Sequence, residues 1–128
     1  MALQTGIKGR AEVEVTAANT AAALGSGALP VFSTPSMIRL MEKAALESVQ
    51  PFLPEGQGTV GTALNVKHLA ATPIGLTVRA ESELTEIDRR KLVFRVVVWA
   101  GGEKIGEGTH ERFIVENERF MAKAQAKL

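Results

Sequence analysis

The stretch Thr34-Pro35-Ser36-Met37-Ile38-Arg39-Leu40-Met41-Glu42-Lys43-Ala44-Ala45-Leu46-Glu47-Ser48-Val49-Gln50-Pro51 carries the longest helical pattern in this chain. Thr34 before Pro35 makes a helix start, because a threonine oxygen accepts from the free amides of a first turn and proline is preset for the first helical position. Met37, Leu40, Met41, Ala44, Ala45 and Val49 recur at steps of three and four, the pattern of a helix with one apolar face, and Pro51 ends it. At about 100° per residue, the apolar arc runs from Leu40 to Val49, while Arg39, Lys43, Glu47 and Gln50 point away. Glu42 falls at its edge, between Val49 and Leu46. A carboxylate there is less well solvated than its charged neighbours, although a plain surface glutamate has the same pattern.

Working outward, the pattern on both sides has a period of two. Residues 11–16 alternate apolar and polar and predict a strand. Residues 17–30, rich in Ala and Gly with no charge or aromatic ring, read as a loop. After a turn over 52–58, residues 59–69 predict a strand with Val60, Leu64, Val66 and His68 on one face and Gly61, Asn65 and Lys67 on the other. Past the turn Thr72-Pro73-Ile74-Gly75, alternation from Leu76 to Leu84 gives the next strand, and Asp88-Arg89 turns into Leu92, Phe94, Val96 and Val98. Gly101-Gly102 signals a hairpin into a last strand over 104–115, and residues 116–128 read as a frayed helix. One strand, one helix and four strands joined by short turns predict an α+β fold: an antiparallel five-stranded sheet wrapped round a central helix.

A length of 128 residues suits a single domain over 1–128 that needs no disulfide or metal staple. Fifteen Lys plus Arg against 14 Asp plus Glu leave a formal charge of +1, no electrostatic footprint for nucleic acid or an anionic membrane. The absence of cysteine excludes a thiol nucleophile and a zinc–thiolate site. No signal region opens the chain and no stretch reaches the roughly 18 apolar residues of a membrane span, so a cytoplasmic protein is expected.

Two literal motifs fail in context. Gly56-Gln57-Gly58-Thr59-Val60-Gly61 matches a dinucleotide fingerprint, but that motif follows a strand and opens a helix, whereas here the order is reversed. His110-Glu111 lies in a strand and lacks the second histidine of a metalloprotease helix, and two histidines without cysteine make a metal site unexpected. No G-x-S-x-G elbow is present. What remains is Thr34, Glu42 eight residues on, and His68 twenty-six beyond that. Each also has a structural reading: Thr34 as a helix cap, Gly61 as a bulge, Arg112 in a surface ion pair, His68 as a hydrogen-bonded core residue.

The segments Ser33-Thr34-Pro35-Ser36-Met37-Ile38-Arg39-Leu40-Met41-Glu42, Gly58-Thr59-Val60-Gly61-Thr62, Val66-Lys67-His68-Leu69-Ala70-Ala71-Thr72-Pro73-Ile74-Gly75 and Gly106-Glu107-Gly108-Thr109-His110-Glu111-Arg112-Phe113 resemble, in this order, the fluoroacetyl-CoA thioesterase-like branch of the hotdog thioesterases. The resemblance covers most of residues 10–115. It implies a hotdog fold and Thr34, Glu42 and His68 as a catalytic set. It also implies Gly61 lining the acyl site, Arg112 near the substrate, and Phe32 as the first aromatic contact after the lid. A carboxylate acting as nucleophile or as base toward water suffices against a thioester, whose thiolate leaves readily. The implied reaction is hydrolysis of a short or compact acyl-CoA to the free acid and CoA, without cofactor or metal, by a homodimer or tetramer. Fluoroacetyl-selective members carry aromatic lid residues, whereas residues 17–30 here have none, so a different or broader acyl group is expected. The alternatives are a hotdog enoyl-CoA hydratase, which calls for an Asp and His pair this chain does not display, and a non-catalytic acyl-CoA binding module.

Overall fold

The computed structural model describes residues 2–128. Strand β1 (Lys8–Glu14) is followed by a short helix α1 (Ala21–Leu24), the long helix α2 (Thr34–Val49), and strands β2 (Gln57–His68), β3 (Thr77–Asp88), β4 (Lys91–Ala100) and β5 (Glu103–Glu116), before helix α3 (Asn117–Gln125). The sheet order is β1-β3-β4-β5-β2, every neighbour antiparallel. The expected α+β architecture is therefore the observed one, with strand ends shifted by up to four residues.

Helix α2 packs chiefly against β1 and β3. Met37, Leu40, Met41, Ala44, Ala45 and Val49 are buried against Val78, Ala80, Leu84, Leu92, Phe94, Val96 and Val98 of the sheet. Gly9 sets the distance at one point: a Cβ there would stand 2.2 Å from the Ala44 carbonyl oxygen, so only a residue without a side chain lets the helix backbone rest on β1. The Gly101-Gly102 hairpin uses φ of 55° and 85°, values that glycine alone adopts without strain in two successive positions.

Two expectations are corrected. The 17–30 segment is not a plain loop: a 3-10 turn at Ala17–Asn19, closed by Thr16 and Asn19 as a capping box, leads into α1. Thr20 bridges Phe32, and Val31 bridges Pro73, so polar backbone atoms in this Ala/Gly-rich stretch find partners that composition does not reveal. The second correction concerns β2. Its pairing with β5 shifts between Gly61 and Ala63, a bulge that inserts Thr62 and reverses which residues face inward. Val60 is therefore not on the face of His68, and Gly61 is.

Candidate active site

The cap of α2 decides what Thr34 is free to do. Ser33 Oγ accepts from the Ser36 amide at 3.1 Å, so Ser33 is the N-cap and Thr34 the first helical residue. Thr34 Oγ1 lies instead 2.8 Å from His68 Nδ1 at the end of β2. Burial pulls the His68 pKa below the ordinary histidine value, and its buried Nε2 has no partner. A neutral ring presents at Nε2 a proton or a lone pair according to how the Thr34 hydroxyl is turned. Beside the pair opens a cleft of about 360 Å³ lined by Ala21, Ser26, Val31, Phe32, Leu69, Ala70 and Ala71. Phe32 is only 1% exposed, so its ring belongs mainly to the core beneath this cleft.

A second group forms farther along α2. Glu42 Oε2 is 3.5 Å from Arg112 Nη1, and a Cβ at Gly61 would stand 2.5 Å from the same oxygen. The Glu42 side chain is 40% exposed and that of Arg112 only 6%, so this is an anchored cation reaching a carboxylate at the surface. Arg112 is not in the ordinary surface ion pair its strand position allowed. Its Nε donates to Thr59 Oγ1 at 2.8 Å and its Nη2 to the Thr59 carbonyl at 3.0 Å. Burial works against its charge, and Glu42 favours it.

Within one chain these are two clusters. Thr34 and His68 meet, as do Glu42, Gly61 and Arg112, but eight residues of helix separate Thr34 from Glu42, about 12 Å along the axis. The sequence reading missed Thr59 and His110, both buried in the second cluster. Alternation along β5 puts His110 on the face of Arg112 two residues on, and that was the available signal. Among the described residues, no three His, Cys, Asp or Glu gather as a metal site, and no helix is long and apolar enough to cross a membrane.

Comparison with known proteins places the scaffold. The family described as fluoroacetyl-CoA-specific thioesterase matches residues 15–118. The fluoroacetyl-CoA thioesterase of Streptantibioticus cattleyicolor is 45% identical over 97 residues, 76% of this chain and 70% of that protein. A solved structure of the fluoroacetyl-CoA thioesterase FlK superposes with a TM-score of 0.93 at 36% identity, covering 100% of this chain and 99% of the other; variants of that enzyme are known in complex with fluoroacetate and with acetyl-CoA. A hot-dog-like protein from Thermanaerovibrio acidaminovorans shares the fold, with a TM-score of 0.88 at 22% identity over 97% of this chain and 92% of that one. The chain belongs to the fluoroacetyl-CoA-specific thioesterase family and is a thioester hydrolase built on the hotdog fold.

Proposed function

We propose that this protein hydrolyses a short or compact acyl-CoA to the free acid and CoA, in the cytoplasm, with Glu42 attacking the thioester carbonyl or activating water. The observation that carries this reading is the placement of Glu42: a part-exposed carboxylate held by a buried guanidinium over a strand position that has no side chain. The bare backbone at Gly61 lets the Glu42 carboxylate lie directly against β2, where any side chain would displace it. Thr34 and His68 supply a hydroxyl and a ring nitrogen for the developing oxyanion or the departing sulfur. No step calls for a metal or cofactor. The lid has no aromatic ring to select a fluorinated methyl group, which favours an acyl group other than fluoroacetyl. Thiol release across a graded acyl-CoA panel tests the reading: turnover of two- to four-carbon thioesters is expected, and no release from any of them would reject it.

The 12 Å gap between the two clusters supports a homodimer as the working unit. Strand β2 is a sheet edge, its residues 61–65 are exposed, and an unpaired edge invites a second strand. A twofold axis near the middle of β2, with the two edges antiparallel, turns the Gly61 end of the strand toward the His68 end of the partner subunit's strand. One site then combines Glu42, Gly61 and Arg112 with Thr34 and His68 of the partner subunit. Mixing Glu42→Gln and His68→Ala proteins under exchange tests this: each is inactive alone, and mixed dimers regain one intact site, about a quarter of wild-type activity in total. No recovery would reject the shared site.

A further inference from the structure

His110 is the one titratable side chain of the second cluster with no part in the chemistry above. It is fully buried and stacks on Phe94, ring centroids 6.1 Å apart at 30°. Its two nitrogens meet partners of opposite kind. Nδ1 lies 2.9 Å from the Ala63 carbonyl oxygen, which only accepts. Nε2 lies 3.1 Å from Arg112 Nη1, which only donates. Both contacts are hydrogen bonds for one form alone, the neutral imidazole with its proton on Nδ1.

This form constrains Arg112. Its Nε and Nη2 are taken by Thr59, and Nη1 spans His110 Nε2 and Glu42 Oε2. We propose that His110 is a positioning residue, a neutral acceptor that fixes the Arg112 guanidinium so that its remaining Nη1 hydrogen faces Glu42 and the reacting acyl group. The proposal rests on the thioesterase reading. The fork of Arg112 is rigid, so holding three of its corners determines the fourth direction, which a flexible lysine would not reproduce. The charged groups nearest the ring are Glu42 from α2 and Arg112 and Glu111 from β5. At the ring, β2 supplies the Ala63 carbonyl and β4 supplies Phe94, neither of them charged. An imidazolium would set an N–H against the N–H of Arg112 and place two cations side by side in a buried pocket.

The test combines kinetics with a spectroscopic arm. His110→Phe keeps an aromatic ring against Phe94 but removes both nitrogens, and should lower kcat/KM about 10- to 100-fold, as misplacement of a positioned group does. Arg112→Lys should lower it as well, and the double variant should be no worse than Arg112→Lys alone within about twofold, because His110 acts through Arg112. Multiplying effects would overturn the proposal. In the wild-type protein, long-range proton–nitrogen correlation should show His110 neutral and protonated at Nδ1 from pH 6 to 8; an Nε2-protonated ring or an imidazolium at pH 7 would overturn it too. This arm needs neither turnover nor a folded variant. A wild-type protein that releases no thiol would therefore sink the thioesterase reading separately.

Discussion

Gly61 lies so close under Glu42 that a Cβ at position 61 would stand 2.5 Å from Glu42 Oε2, with Arg112 Nη1 and His110 Cε1 next at 3.3 Å. The carboxylate is the end of a flexible, part-exposed side chain and can yield, whereas the buried guanidinium and imidazole cannot. Gly61→Ala should therefore cost about 1–3 kcal/mol of stability where the new Cβ presses on those two groups, while displacing the carboxylate. Thioester turnover should fall about tenfold or more. Urea titration and thiol release on one preparation read both, and full activity in a folded Gly61→Ala protein would mean that Glu42 does not work from the position seen.

Glu42→Gln keeps the shape and leaves an amide oxygen to accept from Arg112, but removes the charge. As the attacking group or base, its loss should lower kcat about 100-fold or more, with little change in melting temperature because the side chain is half in solvent. A cooperatively unfolding Glu42→Gln protein with near wild-type turnover would reject the assigned role.

The Thr34–His68 contact predicts a graded response. Thr34→Ser keeps a hydroxyl for His68 Nδ1 and should retain most activity, whereas Thr34→Ala removes it and should lower turnover about tenfold or more. Because Ser33 already caps the helix, Thr34→Ala should not cost the ~1 kcal/mol of a lost cap. A stability loss of that size with unchanged turnover would show Thr34 to be structural.

The helix and the strand order were legible because burial imposes a period on sequence: six apolar positions on α2 and the alternation of β3 and β4 map onto the observed core, except Leu76, which lies just before β3 and is exposed. Gly61 was placed on the wrong face because the bulge at Thr62 has no signature in alternation alone; a one-residue insertion flips every position on one side of it. Thr34 was read as the cap because Ser33 and Thr34 are chemically equivalent for that role, and only the observed start of the helix separates them. The separation of Glu42 from Thr34 was implicit in their spacing of eight residues, yet its meaning depends on the free edge of β2. His110 was weighed only as a metal ligand, and its partner Arg112 lay two residues away on the same face.

The pKa of both histidines is lowered, that of His68 by burial and that of His110 by burial first, with the Arg112 charge adding to it while the Ala63 carbonyl and the Glu42 and Glu111 charges oppose. Their folded pKa values thus lie below the 6.5 of a free ring, and the unfolded chain binds more protons once the pH drops past 6.5. Stability is then complete above that pH and is lost as pH falls through the interval down to the folded values, by up to about 1.4 kcal/mol per pH unit for each histidine. Carboxylates contribute mainly below about pH 5, so urea unfolding at pH 7.5, 6.5 and 5.5 isolates the histidines. The free energy should decline across that range in the wild type. It should decline less steeply in His110→Phe, even though that substitution lowers the value at pH 7.5 by leaving the Ala63 carbonyl and an Arg112 hydrogen without partners, about 1–3 kcal/mol. A wild-type stability that stays flat from pH 7.5 to 5.5 would mean that the unfolded and folded chains hold the same protons, and with it the neutral, donor-and-acceptor role of His110 would fall.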